Sequence, residues 1–170
     1  MDFLEFAKER YSCKKFSDKD ITNEQLEKIL EVGRLAPTAK NLKEQKIYVI
    51  KSQEGLAKID KLTPCRYGAP TVILVAFNKN NVFTYPGNTR DSGIEDASIV
   101  ATHMMLAASS LGVDNCWINF FNPEDAKKEF NLPEDEEVLM FLDLGFKAEG
   151  VKPMANHFSR KNLTETVTYI

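Results

Sequence analysis

Arg10-Tyr11-Ser12-Cys13-Lys14-Lys15-Phe16 carries four polar anchors, Arg10, Ser12, Lys14 and Lys15, closed by an apolar pin at Phe16. In an extended chain, side chains two apart share a side. Arg10, Ser12 and Lys14 would then converge. A guanidinium, an ammonium and a hydroxyl meeting at one point can grip a phosphate. Taken alone, the stretch has a plainer reading as a solvated basic loop after a first helix.

Working outward, 170 residues suit one domain. With 43% hydrophobic and 28% charged residues, the composition is that of an ordinary globular protein. A net charge of -3 argues against nucleic acid as the main partner. Acids at Asp2 and Glu5 stand where a signal peptide would be basic, and no apolar run is long enough to span a bilayer. No membrane association is therefore expected. Cys13, Cys65 and Cys116 are odd in number and widely spaced, which fits a reduced cytoplasmic protein better than a disulfide scaffold or a zinc site.

Before the basic stretch, residues 2–9 read as a short helix capped by Asp2. After it, Thr22-Asn23-Glu24-Gln25 is a capping box that starts a helix ending near Leu35, ahead of Ala36-Pro37. A turn leads to a strand over 46–50, then a helix over 53–61. Residues 70–77 form the most apolar run and read as a strand buried on both faces. Turn-forming residues fill 78–90. A long helix from Ser92 to Leu111 is apolar around much of its circumference, which predicts burial in a core or at a subunit interface. A strand at 115–119, a helix through Phe130 and a strand over 137–144 follow. The tail ends in alternating Val167, Tyr169 and Ile170, a pattern suited to adding a strand to a sheet, here one of a partner. This element order reads as α+β or α/β, with a mixed sheet between helices.

No nucleophile elbow, zinc-protease motif, P-loop or dinucleotide glycine fingerprint is present. Asp91, Glu95 and Asp96 at the start of the long helix are explained by its dipole rather than by a metal. No catalytic side chain is assigned.

Four stretches, in order, resemble the nitroreductase-like FMN-dependent oxidoreductases. They are the 10–16 motif, Ala36-Pro37-Thr38-Ala39-Lys40-Asn41-Leu42, the helix exit and strand from Ala107 to Ile118, and Leu144-Gly145-Phe146 with the late pair Arg160-Lys161. The resemblance implies an α+β fold with a mixed, mainly antiparallel central sheet flanked by helices and a long buried helix at a dimer interface. It also implies one FMN-binding domain over 1–170, an FMN-dependent enzyme, and a homodimer with the flavin at its interface. By position, Arg10, Ser12 and Lys14 correspond to residues that hold the phosphate and ribityl chain, and Arg160 and Lys161 reach the phosphate. Asn41 lies near the pyrimidine edge, Cys116 and Trp117 lie along the flavin's rim, and Gly145 allows close backbone approach. Reduction by NAD(P)H or another donor, and transfer to a small flat acceptor such as a nitroaromatic or quinone, are implied. Phe83 and Tyr85 in the 78–90 loop are candidate substrate contacts. The chain departs from the family pattern at Lys14, where arginine is usual, at Lys40, where glycine is common, and at Lys43-Glu44-Gln45, where Gln-Pro-Trp often stands. An FMN-binding protein with weak turnover or a specialised reaction, and a non-catalytic interaction protein, are the alternatives.

Overall fold

A computed structural model describes residues 2–170. The fold is α+β. Its organising element is β2 (Thr71–Asn78), which is buried on both faces. β1 (Gln45–Ile50) flanks it on one side and β4 (Glu136–Gly145) on the other, with β3 (Asp114–Ile118) outermost beside β4. All three pairings are antiparallel, with a register shift between Val75 and Ala76. The expected parallel component of the sheet is confined to a single bridge between Ser12 and Asn115.

Alternation along β2 divides the core. Ile73, Val75 and Phe77 face one side with Met140, Leu142 and Leu144, under α2 (Asn23–Leu35) and α4 (Gly93–Ser110). Val72, Leu74 and Ala76 face the other with Phe141, Cys116 and Ile118. That side is covered by α3 (Gln53–Leu62), α5 (Pro123–Glu129) and the chain around Cys13 and Phe16. Two-faced burial explains why β2 is apolar without interruption.

Helix boundaries follow their caps. Thr22 and Gln25 make the reciprocal capping box, and Asn122 accepts from the Glu124 N–H ahead of Pro123. Asp2 and Ser92 do not follow this rule, and the Ser92 side chain makes no cap hydrogen bond to α4. Asp2 precedes α1 (Phe3–Glu9), but its side chain makes no cap hydrogen bond. α4 meets the sheet so closely at its start that a Cβ on Gly93 would enter the Phe77 ring. It buries Ala97, Val100, Ala101, Met104 and Ala108 and leaves Ile94 more than half exposed. Asp91 accepts from the Gly93 N–H, in keeping with a dipole role. No metal-holding cluster occurs among the described residues. None of their helices is long and apolar enough to cross a membrane. Within the single chain the tail adds no strand to the sheet: it forms a short turn at 155–158 and α6 (Leu163–Thr166), then runs on exposed.

Among the described residues, one buried carboxyl group has no hydrogen-bond partner. Asp143 on β4 is fully buried, and neither carboxylate oxygen has a hydrogen-bond partner. Burial pushes its pKa from 3.8 up to about 9, and nearby Arg66 offsets this only in part because it is committed to Asp60 and the Ala69 carbonyl. Between those two values the folded chain keeps a proton that the unfolded chain releases. Stability therefore falls as pH rises through that window. Asp143→Asn, neutral at every pH, should melt progressively higher relative to the native chain between pH 5 and pH 9 (thermal melts at about one-unit steps). A gap that stays constant with pH would contradict a buried neutral acid.

The thiols are graded in the same way. Cys13 and Cys116 are buried and Cys65 is half-buried. Burial pushes the Cys13 thiol up, and burial followed by the Asp143 charge pushes Cys116 to about 12. A disulfide-exchange reagent should label one thiol, Cys65, in the native protein and all three cysteines of the sequence after denaturation. Rapid native labelling of Cys116 would contradict this packing.

Candidate functional site

The 10–16 stretch is extended because it is sewn to its neighbours on both sides. The Cys13 N–H donates to the Asn115 carbonyl at 2.9 Å, beside the Ser12–Asn115 bridge. The Phe16 N–H donates to Tyr67 at 3.0 Å, Ser17 to Phe146 at 2.8 Å, and the Ala148 N–H to Lys15 at 3.1 Å. Cys13 and Phe16 point inward and anchor the segment, while Lys14 stays exposed. Gly145 makes room for this anchor. A Cβ there would lie 2.9 Å from Pro70 and 3.0 Å from Phe16. The close approach expected at Gly145 is therefore to the packed wall behind the stretch.

Arg10, Ser12 and Lys14 line one cavity of about 190 Å³, closed by Tyr11 and by Met154, Asn156 and His157 from the tail. The spacing of two does bring the three side chains together. Sequence reasoning missed the tail residues, because no local pattern connects position 157 to position 10. In the fold, His157 Nε2 meets the Lys8 carbonyl at 3.2 Å, and its ring stands edge-on to Tyr11 at 6.3 Å.

The cavity is electropositive and unneutralised. Neither Arg10 nor Lys14 forms an ion pair among the described residues. Burial holds the Arg10 guanidinium below its ordinary pKa. The Cys116 thiol acts in the opposite direction, and the nearby Arg160 charge adds to the depression. Arg160 itself donates to the carbonyls of His157 and Ser159. Lys161 is exposed beyond it. A desolvated guanidinium without a counter-ion, beside a second arginine, is an anion site by its chemistry. The Ser12 hydroxyl and Lys14 both favour charge on Cys116, a thiol buried in the core behind the cavity and not among its lining residues. A neighbouring cavity of about 440 Å³ shares Arg10 and Tyr11 but adds Glu9, Asp114 and Lys147, so its charges balance.

Other expected site residues lie elsewhere. Trp117 follows Cys116 in a strand and so takes the opposite face, packing toward the α4 layer. Of that pair, Cys116 packs in the core cluster that contains Cys13 and Phe16. Asn41 is exposed in the turn at 39–41, and the Ala39 N–H donates to Asp96 near the start of α4 at 2.7 Å. Phe83 and Tyr85 stack at 5.3 Å in the same region, where the Ser92 N–H donates to the Phe83 carbonyl. The Arg10 cluster lies at the other end of α4, where the adjoining cavity is lined by Ser109 and Gly112. The 18 residues of α4 separate the two groups by about 27 Å.

Comparison with known proteins fits this arrangement. The chain is similar over 99% of its length to a crystallised nitroreductase family protein of Clostridium difficile 630, at 39% identity, covering 98% of that chain with a TM-score of 0.92. An FMN-dependent nitroreductase of Clostridium difficile R20291 matches at 27% identity and a TM-score of 0.73, over 94% of this chain and 98% of that one. A Methanothermobacter thermautotrophicus protein, provisionally named as an NADH dehydrogenase/NAD(P)H nitroreductase, is 30% identical over 158 residues, 88% of this chain and 79% of its own. The family model described as Nitroreductase family matches residues 7–66 and 63–146. The chain belongs to the nitroreductase family.

Proposed function

We propose that the protein is an FMN-dependent oxidoreductase that works as a homodimer, takes reducing equivalents from NAD(P)H and passes them to a small flat acceptor such as a nitroaromatic or quinone. The observation that carries the reading is the half-buried, unpaired Arg10 beside Ser12, Lys14 and Arg160. A phosphomonoester supplies the anion such a cluster lacks. Its oxygens match the guanidinium fork and the serine hydroxyl. A cavity of about 190 Å³ takes a phosphate end but is below the size usual for a whole ligand site. The flat ring must find its other walls beyond this one chain.

A second copy supplies them. Asn41, Phe83 and Tyr85 cannot reach the Arg10 cluster of their own chain across the length of α4. Two chains packed with their α4 helices antiparallel bring the start of one helix to the end of the other. The surface available for this is apolar: Phe3, Phe6, Val32 and Leu106 line an open groove of about 790 Å³ beside α4. Tail residues Phe158, Leu163 and Tyr169 are likewise largely exposed in a single chain. Patches of this kind mark contact surfaces.

Bound FMN supplies hydride and electron transfer between a reduced nicotinamide and the acceptor. The protein's own residues hold and orient. Arg10, Ser12, Lys14 and Arg160 would hold the phosphate and ribityl chain, and Asn41 of the partner subunit would donate to and accept from the ring's polar edge.

The purified protein should be yellow, sediment as a dimer, and lose its oxidised-flavin absorbance on anaerobic titration with NADH or NADPH. The double substitution Arg10→Gln/Lys14→Gln should keep the circular dichroism of the fold and weaken FMN binding by about 100-fold or more, since each charge-assisted bond is worth about 1.5–3 kcal/mol. Colourless protein that takes up no added FMN would overturn the proposal. FMN binding without turnover by either nicotinamide would replace it with a flavin-binding protein served by another reductant.

A further inference from the structure

We infer that Lys40 makes the acceptor side of the cleft selective for flat molecules carrying a negative charge; the inference rests on the flavin reading above. Lys40, Asn41 and Lys43 all hold left-handed backbone, at φ of 50°, 57° and 59°. Asparagine tolerates this region, but lysine is strained there and glycine is not. The turn is held in that form from both sides. The Ala39 N–H donates to Asp96, and the Lys43 N–H donates to the Thr38 hydroxyl at 3.1 Å. Lys43 has a structural reason for its place, since its ammonium donates to the Ala36 carbonyl. Lys40 has none of this kind. It is exposed and forms no ion pair among the described residues.

What Lys40 does touch is the aromatic rim. Its ammonium lies 5.0 Å from the centre of the Phe83 ring. Phe83 stacks on Tyr85, and Arg90 covers the outer face of Tyr85 at 4.4 Å. The acids close by are already engaged. Glu95 accepts from Tyr85 and pairs with Arg90 at 3.2 Å, while Asp96 accepts from Ala39 and from the Ser92 hydroxyl at 2.7 Å. Arg90 is thus neutralised and the Lys40 charge is left over. A cation held over an aromatic rim without a counter-ion complements an aromatic carboxylate: the carboxylate meets Lys40 and the ring lies beside Phe83. Lys40 is not among the residues assigned to hold FMN, and the flavin absorbance of each variant reads cofactor binding separately from acceptor selectivity.

The test compares 4-nitrobenzoate with its uncharged counterpart 4-nitrobenzamide, using FMN-loaded protein and excess NADH at low ionic strength. Lys40→Gln and Lys40→Gly should lower the benzoate-to-benzamide ratio of kcat/KM about three- to five-fold, mainly through KM for the benzoate, as expected for one exposed charge. Lys40→Arg should preserve the ratio, and added salt should lower it in the native protein only. Benzoate, which is not reduced, should raise the melting temperature of the loaded native protein and not that of Lys40→Gln. Lys40→Gly should itself melt higher, since it removes the strain. Equal ratios and equal benzoate shifts in all four proteins would overturn the inference while flavin absorbance and reduction by NADH remain. Protein without flavin absorbance would overturn the flavin reading and this inference with it, an outcome told apart by colour before any acceptor is added.

Discussion

The backbone bonds that tie residues 13–17 to Asn115, Tyr67 and Phe146 are the constraint on which the site depends. A basic segment of this length, free in water, would hold no fixed geometry, and ordering it costs about 1–2 kcal/mol per residue. Here the cost is met by burying Cys13 and Phe16 and by extending the chain alongside the outermost strand. The result is a preorganised row in which Arg10, Ser12 and Lys14 line one cavity and Arg10 loses part of its hydration without gaining a counter-ion. The sheet positions this row of polar side chains.

The same logic accounts for the helix that runs beneath it. α4 is buried along one side by the sheet and α2, and its start is fixed by the contact of Gly93 with Phe77. Its length then sets the distance between the anion cluster and the aromatic rim. A helix of about 27 Å cannot be bent to bring its own ends together. Twofold pairing is the inexpensive way to place both ends at one ligand, and such pairing is common among oligomers. Dimerisation and cofactor binding are on this account one event.

Much of the fold was legible in the sequence because its signals are local. The Thr22–Gln25 capping box, the Pro123 start of α5 and the uninterrupted apolar run of β2 each act over a few residues. The period-two reading of Arg10, Ser12 and Lys14 held for the same reason. What escaped depends on contacts between distant segments. His157 closes the cavity from a tail with no informative periodicity. Trp117 and Cys116 were grouped by adjacency, yet strand alternation sends them to opposite faces. Gly145 was read as room for a ligand, whereas Pro70 and Phe16 fill the space. The alternating tail, read as a strand, forms none within one chain, because a strand is defined by its neighbour and the outer edge of β1 has no partner here. The burial of Asp143 had no sequence signal at all, since one carboxylate in a strand pattern looks like an exposed position.

The most direct test is a crystal structure of the protein grown with FMN. The account predicts a phosphate oxygen within hydrogen-bond distance of Arg10 and Ser12, with the polar edge of the ring facing Asn41 of a second copy. A phosphate bound away from Arg10, or a flavin held entirely by one chain with Asn41 turned to solvent, would contradict it.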